Sequence, residues 1–172
     1  MNDFLELAKA RFSCRSFSDK LVEDDKLAKI LEAGRIAPTA KNYQPQKIYI
    51  IKSKDGLEKI NQISPCIYGA PQVIAIGYDT NVVAAVPDRG NYNFGEMDSS
   101  IVLTHMMLEA FELGVDSCWV GRFIPEQAEK ILGLPENVKL TALMPFGYAK
   151  EGTVPADRHL AKKELSEMVE YL

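Results

Sequence analysis

Cysteine and histidine are scarce in this chain. Cys14, Cys66 and Cys118 are the only thiols, and His105 and His159 the only imidazoles, among 172 residues. An odd number of cysteines with no CxxC spacing provides no disulfide framework, and without a Cys/His cluster no structural zinc site is expected. Basic excess is also missing: 20 Lys and Arg against 24 Asp and Glu leave a net charge of −4. That balance argues against general nucleic-acid binding. No apolar run approaches the roughly 18 residues that suggest a membrane-spanning helix. Met1-Asn2-Asp3-Phe4-Leu5-Glu6 carries acids where a signal peptide would be positive, so the expected location is cytoplasmic. No GxSxG occurs, and neither histidine lies near a plausible nucleophile in sequence. His105 falls in an apolar helical pattern as a core histidine, and Cys14, beside Arg15 but without a histidine partner, is expected to be unreactive. GxGxxG after a strand and GxxxxGK[ST] are both absent. Any phosphate of a nucleotide-like cofactor would therefore have to be held by arginines.

What is present begins with Arg11-Phe12-Ser13-Cys14-Arg15-Ser16-Phe17, two guanidinium forks and two hydroxyls within six residues. Such forks match phosphate and planar carbonyl groups. Around this stretch the patterns predict one domain over residues 1–172. Helices are expected over Asp3–Lys9, after Glu23-Asp24-Asp25 (with Leu27, Ile30, Leu31 and Gly34 on one face), over Gly56–Ile63, over Glu96–Leu113 (Ile101, Leu108 and Phe111 buried), from Pro125, and over Lys162–Tyr171. Strands are expected at Lys47–Ile51, Pro71–Tyr78, Val115–Val120 and Leu140–Tyr148. Pro38–Gln46 and Asp79–Asn93, which includes Pro87-Asp88-Arg89-Gly90-Asn91, are irregular. Cys118-Trp119-Val120-Gly121-Arg122-Phe123 places the single tryptophan at a strand end, with Gly121 allowing close approach of backbone to a planar ligand.

Taken in order, these segments resemble the nitroreductase family of flavoproteins, from Phe4 to about Val169. The resemblance is carried by Arg11, Ser13 and Arg15 in an Arg-x-Ser-x-Arg pattern, by Ala37-Pro38-Thr39-Ala40 with Asn42-Tyr43-Gln44-Pro45, and by Ala70-Pro71 entering a strand. Leu113-Gly114-Val115 leading to Cys118-Trp119-Val120-Gly121, and Phe146-Gly147-Tyr148 followed by Arg158, complete it.

The resemblance implies an α+β fold: a three-layer α/β/α sandwich with a mixed central sheet, helices on both faces, and an interlocked homodimer binding FMN at the subunit interface. It implies hydride transfer from NADH or NADPH through flavin N5 to a small organic acceptor, such as a nitroaromatic or quinone, by a ping-pong mechanism. Carried over, Arg11, Phe12 and Ser13 lie at the phosphate and ribityl end, with Arg158 as a further phosphate ligand. Arg15 reaches the N1/O2 edge, where reduction builds negative charge. Pro38, Thr39, Ala40 and Asn42 come from the other subunit. Gly121 offers its N–H to N5, flanked by Trp119, Val120 and Arg122. No side chain serves as nucleophile or general base, since the flavin carries the chemistry.

Three departures from the family pattern stand out. Ala40 replaces a frequent serine, Gln46 a frequent tryptophan, and Ala156 a frequent basic residue, with Lys150 as a candidate substitute. Little sequence follows Arg158, which implies a smaller dimer interface than in longer relatives. Tyr68, Tyr92 and Phe123 are candidate stacking residues over the acceptor, with Asp79–Asn93 helping to roof it. Same-fold alternatives are dehalogenation, azole formation, flavin degradation or flavin binding without turnover; a cofactor-free dimeric scaffold is another.

Overall fold

Four strands carry both layers of helices. The computed structural model describes residues 3–90 and 92–172; Met1, Asn2 and Asn91, used above as part of the acidic start and as a turn residue, lie outside them. In chain order the elements are α1 (Phe4–Ala10), α2 (Asp24–Arg35), β1 (Gln46–Ile51), α3 (Lys54–Ile63), β2 (Gln72–Asp79), β3 (Ala85–Val86), β4 (Tyr92–Asn93), α4 (Gly95–Glu112), β5 (Asp116–Ser117), α5 (Pro125–Leu132) and β6 (Val138–Gly147). The main sheet has the order β1-β2-β6-β5, and its strand pairs are antiparallel. Its parallel component is a single bridge, Ser13 to Ser117.

Because successive side chains on a strand point to opposite faces, the apolar run of β2 builds two cores. Ile74 and Ile76, with Ala142, Met144 and Phe146 of β6, pack under α2 and α4. Val73 and Ala75, with Leu140 and Leu143, pack against Ile60 of α3 and Ala128 of α5. All eight residues of β2 are buried, as expected of a strand covered on both sides. In the register of β2 with β6, an irregularity falls between Ile76 and Gly77. There Lys139 O would lie 2.1 Å from any Cβ at residue 77, so only glycine fits.

Five helices begin within two residues of where the sequence patterns place them, and several details differ. In α4 the fully buried apolar positions are Val102, Leu103, Met106 and Ala110, while Ile101, Leu108 and Phe111 are half-buried. Apolar residues surround this helix on most sides, so periodicity alone did not fix its inner face. Each buried Val, Leu or Met there stabilises the fold by about 1.5–3 kcal/mol. The strand expected over Val115–Val120 narrows to Asp116–Ser117, with one further bridge from Val120 to Leu143. The stretch over 79–93 contains the short β3–β4 hairpin. The helix expected over Lys162–Tyr171 is absent apart from one 3-10 turn, Leu165–Glu167. Every residue from Leu160 onward is exposed, and a short amphipathic segment with no surface to bury its apolar side lacks the packing that sustains helices. Among the described residues no helix is long and apolar enough to cross a membrane.

Candidate functional site

The arginine stretch is extended backbone that begins where α1 stops. Arg11 is the C-cap of α1, its N–H donating to Leu7 O, with φ −60° and ψ 127°. From there the two-residue period of an extended chain puts Arg11, Ser13 and Arg15 on one side and Phe12 and Cys14 on the other. Cys14 is fully buried and Phe12 packs beside it. Bridges from Ser13 to Ser117 and from Phe17 to Ala149 pin the segment to the sheet edge. Arg-x-Ser-x-Arg is thus the outward half of a strand-like segment whose inward half belongs to the core.

Arg11, Phe12, Ser13, Arg15 and Arg158 line one cleft of about 220 Å³, together with Ala156, His159 and Lys162. Among the described residues no carboxylate lines it. Arg11, Arg15 and Arg158 take part in none of the ion pairs among the described residues, whereas Arg35 grips Glu32 at 2.6 and 2.7 Å. Burial lowers the pKa of the Arg11 guanidinium. A half-buried cation without a counter-ion is costly unless an anion joins it. Arg15 Nη1 donates to Ser13 O at 3.3 Å, leaving most of its fork free. His159 packs its ring edge against Phe12, 6.5 Å between centroids, and its Nε2 lies 2.9 Å from Lys9 O. A second, larger cavity of about 620 Å³ adjoins the cleft at Ser13 and Arg15 and runs along residues 151–157.

Cys118, Trp119, Val120 and Gly121 follow directly from the bridge partner Ser117. Val120 exchanges two backbone hydrogen bonds with Leu143. The Gly121 N–H has no acceptor among the described residues, and a Cβ there would meet the Trp119 ring at 2.9 Å. Gly121, Arg122 and Phe123 line a further cavity of about 410 Å³ with Gln62, Ile63, Pro65 and Gln127 between α3 and α5. Burial pushes the Cys14 and Cys118 thiols up, so they stay protonated and inert. Tyr68 has left-handed backbone at φ 58°. Hydrogen bonding to the Cys66 thiol and burial push its phenol up, while a hydrogen bond with Arg15 pulls it down.

The Pro38–Gln44 loop lies elsewhere. Its end meets the far end of β2, where Asp79 N–H donates to Pro45 O at 2.9 Å. The arginine stretch instead reaches the sheet through Ser117, opposite Phe146 and hence level with Gln72 at the start of β2. Seven residue steps of strand separate the two levels, about 23 Å at 3.3 Å per residue. One chain therefore does not bring Arg11, Ser13 and Arg15 together with Pro38, Thr39, Ala40 and Asn42. Tyr92 belongs to the far end as well, packed edge-on against Phe94, while Tyr68 lies beside Arg15 and Phe123 lines the cavity between α3 and α5.

Within the loop Lys41, Asn42 and Gln44 all have left-handed backbone, with φ of 55°, 54° and 51°, each costing about 1–2 kcal/mol for a residue with a side chain. Some residues at these sites escaped the sequence patterns. Lys162 lines the arginine cleft and the candidate substitute Lys150 does not; a cation in a polar tail carries no local signal. Asp98, which donates no periodicity of its own, contacts the loop from α4; an acid inside an otherwise apolar helix was the available clue.

The family model described as the nitroreductase family matches residues 8–66 and 62–148. A nitroreductase family protein from Clostridium difficile 630, known from its crystal structure, is 39% identical, with 98% of each chain covered and a TM-score of 0.91. An NAD(P)H FMN reductase of Bacillus subtilis is 26% identical over 96% of this chain and 71% of its own length. An NADH dehydrogenase of Thermus thermophilus is 25% identical over 88% of this chain and 89% of its own.

Proposed function

The chain belongs to the nitroreductase family, and from that premise we propose that it is an FMN-dependent NAD(P)H oxidoreductase completed by a second copy of itself. The observation that carries this reading is the cleft in which Arg11, Arg15, Arg158 and Lys162 meet with no carboxylate among them. Such a site takes a dianion, and a half-buried guanidinium without a counter-ion fits the phosphate of FMN. When bound, FMN supplies the chemistry that carries a hydride from NADH or NADPH to a small organic acceptor in two successive half-reactions.

The chain's own residues bind, orient and enclose. Arg11, Ser13 and Arg158, with Lys162 in place of the basic residue missing at Ala156, hold the phosphate end. Phe12 and His159 wall that end. Arg15 is assigned to the N1/O2 edge, where its fork offsets negative charge. The Gly121 N–H, without an acceptor among the described residues, is assigned to N5, between Trp119 and Val120 on one side and Arg122 on the other. The cavity bordered by Gly121, Arg122 and Phe123 is of a size that suits a small planar acceptor such as a nitroaromatic or quinone.

Pro38, Thr39, Ala40 and Asn42 are assigned to the ligand held by the partner copy, because they stand about 23 Å along the sheet from their own arginine stretch. Exposed Phe4 and Leu5 of α1 and exposed Leu160, Leu165, Met168 and Tyr171 form apolar surface of the kind that association covers.

The test is a flavin titration followed by anaerobic reduction. The purified chain is expected to quench FMN fluorescence, to bind riboflavin more weakly, and to lose its flavin absorbance at about 450 nm when NADH or NADPH is added. Equal affinity for FMN and riboflavin would remove the phosphate assignment. Bound FMN that neither nicotinamide reduces would leave a flavin-binding protein without the proposed activity.

A further inference from the structure

We infer that Asp98 is a positioning residue that sets the Thr39–Gln44 loop for its role at the partner's ligand, an inference that rests on the inter-subunit reading above. Asp98 sits in the first turns of α4 and is 2% exposed. Its Oδ1 accepts the Ala40 N–H at 2.9 Å. Its Oδ2, also buried, has no partner among the described residues. A carboxylate this enclosed and only half satisfied is costly for stability alone, which marks it as a functional constraint.

The loop's remaining hydrogen bonds are internal. Asn42 N–H donates to Thr39 O, Tyr43 N–H to Ala40 O, and Gln44 N–H to Thr39 Oγ1. Among the described residues, the bond to Asp98 is the one hydrogen bond that ties residues 39–44 to another element. Asp98 itself rests on a firm base. The next residue, Ser99, is fully buried and donates its hydroxyl to Gly77 O at 3.1 Å, where β2 departs from regular register. A route of fixed contacts thus runs from the sheet through α4 to Ala40. It holds three left-handed residues in a conformation that local bonds alone do not secure.

The inference is tested on the full chain with Asp98→Ala and Asp98→Asn, the latter keeping one acceptor oxygen in place. Trypsin cleavage after Lys41, followed without FMN, reads the loop directly; cleavage after Lys29 in α2 controls for general unfolding. Asp98→Ala is expected to speed cleavage at Lys41 about tenfold with cleavage at Lys29 unchanged, and to raise the FMN dissociation constant about tenfold. Asp98→Asn is expected to restore both to within about threefold. If Asp98→Ala does not fold, Ala40→Pro removes the donor instead, at the first position of a 3-10 turn after extended Thr39, and the Lys41 cleavage decides. Unchanged cleavage, or faster cleavage with unchanged FMN affinity, overturns the inference. Wild-type protein that fails to bind FMN refutes the flavin reading instead, and the Lys41 comparison still decides whether Asp98 holds the loop.

Discussion

The arginine cleft and the Pro38–Gln44 loop are built by opposite means. The cleft rests on ordinary extended backbone, bridged to the sheet edge at Ser13 and Phe17, and its tension is electrostatic: cations gathered without a counter-ion. The loop carries little charge, and its tension is conformational: three left-handed residues tied to the body of the protein through Asp98. One region offers charge and the other shape, about 23 Å apart on one sheet. On the proposed inter-subunit reading the difference is instructive: each region would supply half of a site, since two-fold pairing of identical chains joins unlike halves without any new sequence.

The largest effect should come from breaking the charged half at its centre. Arg15→Ala is expected to weaken FMN binding about 30-fold, the loss of about 2 kcal/mol for a hydrogen bond to a charged group, and to slow reduction by NADH. Fluorescence titration and stopped-flow absorbance measure the two, and if neither moves, Arg15 has no place in the site. Arg11→Met should cost about tenfold in FMN affinity. It should leave the melting temperature of the flavin-free protein level or higher, because the half-buried guanidinium has no counter-ion to lose. A melting temperature lower by more than about 4 °C, roughly 1 kcal/mol or more for a chain of this size, would show that Arg11 serves the fold.

The smallest signal is the most discriminating. Arg15→Ala and Asn42→Ala, each weak alone, are mixed and allowed to exchange subunits. If cleft and loop meet between chains, half of the dimers are mixed and each has one intact site, so about a quarter of the sites recover FMN binding. If both residues served the site of their own chain, no site would be intact, and zero recovery would dissolve the comparison.

Legibility in the sequence followed the same divide. The cleft could be read because its pattern is local: alternating Arg11, Ser13 and Arg15 need only an extended backbone to share a side. Buried strand β2, the end of α4 at Gly114 and both ends of α5 were legible for the same reason, since period, proline at a helix start and glycine at a helix end act within a few residues. Lys162 and Asp98 were not. Each matters through a neighbour far away in sequence, Arg11 for the first and Ala40 for the second. The Lys162–Tyr171 pattern misled because an apolar period is a promise of packing, and this chain offers that segment no surface within itself.

The sequence by itself thus determined most of the elements, the family and the placing of Arg11, Ser13 and Arg15 within one short segment, all products of short-range geometry and side-chain chemistry. Only the tertiary structure decided where the parts stand. It set the loop and the arginine stretch at opposite ends of β2 and put Asp98 beneath Ala40. It also left the cleft without a carboxylate among the described residues, because distance, burial and unpaired charge arise only when remote segments are packed together.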